Sequence, residues 1–373
     1  MTLHIFNPEH DIALASGLEN FTAPHAGRQL RHDLGWLPAL WANEGDVVWT
    51  EEGQRMPTFV QKLFANGLKR PAFAQKLGGI AQQITAISPW GWNASLRAQL
   101  IRQGVAEELL PSKAQIEVIR MLSHRRTSAV LLSQLRQLSP NAPLTGEAIE
   151  CQTVEEVKEL QSKWHRMVMK APWSSSGRGI RFVEGELSES AAGWLRNTLK
   201  NQGSVMVEPY YNKVKDFGME FYADGKGGVS YLGLSLFHTQ NGAYTGNILA
   251  TETYKLEKLG RYLPTELLES TQKTVCQLLA STIGKQYEGP FGIDMMVVAR
   301  EEPTSSKRAL LLHPCVEINL RRTMGHVALA LTQLVNPQND DELIKVMRIV
   351  YEDNKYKMRC TKHPSCPGKN DAR

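Results

Sequence analysis

Apolar and polar positions follow two rhythms along the chain. Near the N-terminus, the short apolar runs "LHIF", "DVVW" and "ITAIS" alternate with polar loops and helical stretches such as "GWLPALWA". Strands followed by loop and helix predict a doubly wound parallel sheet, and such sheets bind ligands beyond the carboxyl ends of their strands. The loops "NPEHD" and "SPWGWN" are expected there. From Ser112 the pattern turns helical, with Ile116, Ile119, Leu122, Val130, Leu131, Leu135 and Leu138 on one face. After the turn "SPNAPLTG", the run "TVEEVKELQSKW" reads as a further helix. A β-rich middle follows: "RMVMK", "GIRFVEG", "SVMVEPYY", "FGMEFYAD" and "VSYLGLSLF". A helix from about Pro264 to Gly284 precedes the strands "FGIDMMVVA" and "RALLLHPCVEINLR", and a last helical pair is expected to close the fold. Residues 351–373, with six Lys or Arg against three Asp or Glu and few apolar anchors, read as a loosely held basic tail.

Composition narrows the function classes. The 373 residues are 42% hydrophobic and 22% charged, ordinary globular material. The net charge of +5 is scattered, which argues against nucleic acid as the partner. No apolar run reaches the roughly 18 residues of a membrane span. In "MTLHIFNPEHDIALA" the residues His4, Glu9, His10 and Asp11 interrupt the apolar core that a secretory signal needs. The five cysteines Cys151, Cys276, Cys315, Cys360 and Cys366 are odd in number and far apart, so free thiols and a cytoplasmic location are expected. "CTKHPSC" offers Cys360, His363 and Cys366 but no fourth soft ligand nearby, a poor zinc site.

The chemistry concentrates late in the chain. In "HPCVEINLRRTMGH", strand alternation sends Glu317, Asn319 and Arg321 to one face and Ile318 and Leu320 to the other. Two oxygen donors two residues apart suit a hard cation such as Mg²⁺ shared with phosphate, and Arg321 suits a developing phosphoryl charge. Asp294 stands among Ile293, Met295 and Met296, where an unpaired carboxylate is costly. The turn "REEPTSSK" makes its strand antiparallel to that of Glu317, so the two carboxylates can meet across a divalent ion. Upstream, "VMKAPWSSSGRGI" ends a strand in Lys170 and continues into a small-residue loop, the reverse of the P-loop order. Ser175, Ser176 and Gly177 in that loop can fold backbone N–H groups over phosphates, with Lys170 beneath. In "VEPYYNKVKD", Glu208 and the backbone after it, to Tyr210, can meet an adenine edge, and Asp216 can take ribose hydroxyls.

Taken in order, these pieces resemble the ATP-grasp superfamily: a basic residue in "SHRRTSAVLL", the lysine before the flap in "KAPWSSSGRG", the hinge glutamate of "VEPYY", the aspartate of "GID", and "EINLRRTMG", which is similar to the family's Glu-x-Asn-x-Arg motif. The resemblance covers about residues 112 to 345. It implies an α/β protein with an N-terminal doubly wound domain (1–111), an ATP-grasp domain of two α+β subdomains clasping ATP (112–350), and the basic tail (351–373). It further implies ATP and Mg²⁺ as cofactors, Arg125 and Lys170 at the phosphates, Glu208 as hinge, Asp216 on the ribose, Asp294, Glu317 and Asn319 on the metal, and Arg321 as catalytic arginine. Arg126 stays open as the alternative to Arg125. The implied activity is ATP-dependent ligation: a small-molecule or peptide-like carboxylate is activated as an acyl phosphate for attack by an amine or thiol acceptor. An ATP-grasp phosphotransferase and a non-catalytic nucleotide-binding module are the alternatives, and a homo-oligomer stays open. His10, Asp11 and Trp92 are expected to contact the acceptor.

Overall fold

The computed structural model describes residues 1–54, 56–65, 69–174, 179–240, 243–301, 308–334 and 345–362. Strands β1 (Thr2–Ile5), β2 (Val47–Trp49), β3 (Ala72–Ala74) and β4 (Ala86–Pro89) form a parallel sheet in the order β3-β2-β1-β4. Its core holds Leu3, Ile5, Val47, Leu96 and Leu100. The chain winds from β1 outward to β3 and then crosses to the other side of β1, which leaves a topological switch point between β1 and β4.

Strands β5 (Ile149–Cys151), β6 (Arg166–Lys170), β7 (Ile180–Glu184) and β8 (Val205–Pro209) form an antiparallel sheet, β5-β8-β6-β7. Met167, Met169, Val183, Val205 and Val207 face one way, into a core shared with Val157 and Leu195 of two covering helices. The period of two turns Lys170, Phe182 and Glu208 to the other face. The rest of the chain supplies β9 (Lys213–Asp224), β10 (Val229–Ser235), β11 (Phe237–Gln240), β12 (Ala243–Leu249), β13 (Glu288–Glu301), β14 (Arg308–Asn319), β15 (Lys345–Glu352) and β16 (Lys355–Lys362). They make two further sheets, β10-β9-β13-β14 and β11-β12-β15-β16. One apolar cluster joins Phe6, Trp36, Leu37 and Trp90 of the first domain to Leu249, Val327, Met347 and Met358, so the two halves share a core.

Three sequence expectations are corrected. The helical run from Ser112 is two helices, Lys113–Leu122 and Arg125–Leu138, and the break resets the helical phase. Ile116, Ile119, Leu131 and Leu135 are buried as expected, but Val130 and Leu138 are exposed and Leu132 takes the inward position. Among the described residues the closing helical pair is represented by one helix, Met324–Leu334, and by the β15/β16 hairpin where the second helix was expected. "KVMRIVYE" is a short apolar run in which the β-branched residues and the following turn favour a strand. That turn needs positive φ, and Asp353 and Asn354 supply it at 51° and 58°. Finally, Tyr351 to Lys362 are not loose: they belong to the hairpin, and Met358 is packed in the shared core. The tail beyond Lys362 lies outside the described residues.

Candidate active site

Lys170 ends β6 on the face away from the helices, and Glu208 on β8, opposite Val168, projects to the same face within reach of it. Its Nζ donates to Glu208 Oε2 at 2.7 Å, and both side chains are buried. Just beyond, the neck of the loop is pinched shut where Ala171 N donates to Gly179 O at 2.8 Å. Gly179 is required there, because a Cβ on it would lie 2.2 Å from Ser174 Cβ. Ser175, Ser176 and Gly177, the expected phosphate cradle, lie outside the described residues.

Arg125 connects this neck to the opposite sheet. The break at His124 places Arg125 in the first turn of its helix, where Nε donates to Ala171 O at 3.0 Å and Nη2 to Ser174 Oγ at 3.1 Å. Nη2 also pairs with Glu317 Oε1 at 2.8 Å. Arg126 is more exposed and turns to Glu150 instead, at 3.0 Å. Of the two arginines, Arg125 is the one that reaches the acidic wall.

That wall forms as strand alternation predicts. Asp294 on β13 stands directly opposite Glu317 on β14, and a bulge after Asp294 bends the strand. Asn319 Nδ2 donates to Asp294 Oδ2 at 3.1 Å, and Arg321 Nη2 donates to Asn319 Oδ1 at 3.0 Å. Burial, then the charges of Glu317 and Glu220, push the Asp294 carboxyl up to about 7. Among the described residues no three His, Cys, Asp or Glu side chains gather for a metal. The wall therefore offers two carboxylates and an amide, a set suited to a hard cation that keeps phosphate oxygens and waters as further ligands.

Arg321 is held from the other side by Asp11, at the start of the helix His10–Ser16. Nε and Nη2 donate to Oδ1 and Oδ2, each at 2.8 Å, and Nη1 donates to Arg322 O at 3.2 Å. Burial works to raise the Asp11 carboxyl, but the charge and hydrogen bonds of Arg321 outweigh it and hold the group below its ordinary value. Asp11 thus ties the first domain to the acidic wall. Sequence reasoning missed this role, and it missed Glu220, a buried carboxylate on β9 that accepts from Thr323 Oγ1 at 2.8 Å and lies 3.0 Å from His326 Nδ1. A signal for Glu220 was present, since it stands in the apolar run "FGMEFYAD" as Asp294 does in "GID".

Asp216 and Tyr210, expected at the nucleotide, have local partners of their own. Asp216 on β9 accepts from Lys213 Nζ at 2.5 Å and Thr239 Oγ1 at 2.7 Å. Tyr210 packs edge-on against Phe182, with the Arg166 guanidinium 4.2 Å from its ring centre. At the switch point a cavity of about 610 Å³ opens beyond the carboxyl ends of β1 and β2 and against the chain that follows β4, lined by Asn7, Glu9, Arg31, Glu51 and Asn93 among others. His10, Asp11 and Trp92 do not line it. His10 is fully buried, faces a Gly91 whose added Cβ would sit 2.6 Å from its ring, and is held neutral by burial at about 4. Trp92 packs between two apolar cores. Their neighbours Glu9 and Asn93 line it instead.

No protein-family model matches the chain, and no curated protein matches its sequence. Solved structures do match. Phosphoribosylamine–glycine ligase from Thermotoga maritima is similar over 99% of this chain and 83% of its own, at 12% identity and a TM-score of 0.52. The biotin carboxylase domain of 2-oxoglutarate carboxylase from Hydrogenobacter thermophilus, in complex with MgADP, ADP and bicarbonate, is similar over 93% of this chain and 74% of its own, at 14% identity and a TM-score of 0.50. At such identity the likeness is one of fold, and the fold is the ATP-grasp arrangement behind an N-terminal parallel-sheet domain.

Proposed function

We propose, from the ATP-grasp fold, that this protein is a Mg²⁺-dependent ligase that uses ATP to activate a substrate carboxylate as an acyl phosphate for attack by an amine or thiol. The observation that carries the reading is the bridge made by Arg125, which bonds both the neck of the flap beside Lys170 and Glu317 of the acidic wall. Side chains suited to phosphate and oxygen donors suited to a metal are therefore linked through one arginine.

In this reading Lys170 and Arg125 hold the phosphates of ATP, with Glu208 orienting Lys170. Asp294, Glu317 and Asn319 would hold Mg²⁺, and a divalent cation there would offset both the burial of the Asp294 carboxylate and its repulsion by Glu317, the two main causes of its raised carboxyl. When bound, the ion would supply charge neutralisation for the phosphates. Arg321, fixed by Asp11, presents positive charge where charge develops during transfer. The carboxylate oxygen takes the γ-phosphoryl group and ADP leaves. The acceptor, held in the switch-point cavity, then attacks the carbonyl carbon, phosphate departs, and the amine or thiol loses its proton.

The test is ADP release from a matrix of carboxylic acids and amines, followed by ¹⁸O-labelling of the carboxylate that responds. Label recovered in free phosphate supports the ligase. A phosphorylated product that accumulates without phosphate release marks a phosphotransferase, and ATP binding without turnover for any pair marks a binding module.

A further inference from the structure

The chemistry of the switch-point cavity identifies a class of acceptor. Its acidic wall is built on one arginine: Arg31 Nη1 lies 2.6 Å from Glu9 Oε1, and its Nε lies 2.7 Å from Glu51 Oε1. One guanidinium cancels one of these two carboxylates, and with Glu19 and Glu52 the cavity lining holds four carboxylates against the three arginines Arg28, Arg31 and Arg102. Negative charge is left over. Glu9 is only 7% exposed, and its second oxygen, Oε2, has no hydrogen-bond partner. A buried carboxylate oxygen without a donor is costly, so the wall is incomplete until a donor arrives. The cavity lining contains no lysine to supply one.

Arginines line the same cavity. Arg28 gives one N–H to Ala23 O at 3.1 Å, and Arg102 gives one to Asn20 Oδ1 at 3.5 Å. A guanidinium has five donors, so each keeps several for a ligand. We propose that the cavity binds an amino-acid-like zwitterion, its ammonium received by Glu9 with Glu51 behind Arg31, and its carboxylate received by Arg28 and Arg102. Glu9 is then the residue that selects an amine. The inference rests on the ligase reading only in identifying this molecule as the acceptor.

The experiment is calorimetric titration of the full chain with each proteinogenic amino acid and its N-acetyl derivative, with and without a non-hydrolysable ATP analogue and Mg²⁺. At least one free amino acid is expected to bind at least tenfold more tightly than its N-acetyl form. Glu9→Gln, which keeps the shape and leaves Arg31 paired with Glu51, is expected to weaken that amino acid tenfold or more and to change ATP-analogue affinity by less than twofold. Arg102→Ala is expected to weaken the amino acid but not its decarboxylated amine. The proposal is overturned if no amino acid binds, if N-acetylation changes nothing, or if folded Glu9→Gln binds as the wild type does. Because binding is read without turnover, such a failure leaves the ligase reading standing. A bound amino acid that never promotes ADP release would count against the ligase reading alone.

Discussion

Arg321 and Asp11 lie 310 residues apart in the chain and are joined by two hydrogen bonds of 2.8 Å each. The parallel fork of a guanidinium on a carboxylate fixes distance and plane together. A third bond, to Asn319, ties the same arginine to the acidic wall. The first domain therefore sets the orientation of an arginine at the heart of the second.

Asp11→Ala should unfix Arg321. Removing one partner of a largely buried pair costs on the order of 3 kcal/mol in stability, and kcat should fall at least tenfold while ATP affinity changes little. A double-mutant cycle separates positioning from mere folding: in an Arg321→Ala background, Asp11→Ala should cost no further activity. Independent, additive losses would show that Asp11 does not act through Arg321.

Lys170→Ala should weaken ATP by about ten- to hundredfold, the loss of one charge-assisted contact of about 1.5–3 kcal/mol. The variant also leaves Glu208 buried without its ion partner. Adding Glu208→Gln should restore thermal stability without restoring ATP affinity, as calorimetry and melting would record. Wild-type ATP affinity in Lys170→Ala removes the lysine from the site.

Glu317→Gln nearly preserves shape but discharges a proposed metal ligand and the partner of Arg125. Most turnover should be lost, together with the response of melting temperature to Mg²⁺, while the fold is kept. A variant that melts far below wild type yet turns over normally would make Glu317 structural.

The pH dependence has a definite sign. With its carboxyl raised from 3.8 to about 7, Asp294 folds more favourably protonated, so its contribution to stability is present below about pH 4 and is lost as pH rises toward 7. Asp294→Asn should therefore melt higher than wild type at pH 8 and not at pH 4, and Mg²⁺ should stabilise wild type more at pH 8 than at pH 6. A pH-independent difference between variant and wild type would contradict this account.

Four histidines act in the opposite direction, His4 among them, lowered by burial. Burial lowers His10 and His124 to about 4 and His313 to about 3. Each favours the neutral form, so stability should fall as pH drops below 6.5, by about 1.4 kcal/mol per pH unit for each group. The gains from protonating Asp294 and Glu9, whose carboxyls burial raises, offset only part of this loss. Denaturant melts between pH 7 and 4.5 would read this slope, and a flat profile would contradict it.

Much of the site was legible because its logic is local. Alternation along "EINLR" and the carboxylate inside "GID" placed Glu317, Asn319 and Asp294 on one wall, and the small residues after Lys170 marked the loop whose neck Gly179 closes. Periodicity reports which face a residue takes within its own element, and at these positions that was enough. It reports nothing about phase after a break, which is why Val130 and Leu138 were read inward and Leu132 was missed. It also separates a short apolar strand from a helix poorly, hence the reading of β15 and β16 as helix and tail. The pairing of Arg125 with Glu317 and of Arg126 with Glu150, the Asp11 fork on Arg321, and the orphaned Glu9 beside Arg31 were decided only by tertiary structure. Each depends on two elements distant in sequence meeting at hydrogen-bond range, and such a meeting is set by the packing of the shared core rather than by any pattern within one segment.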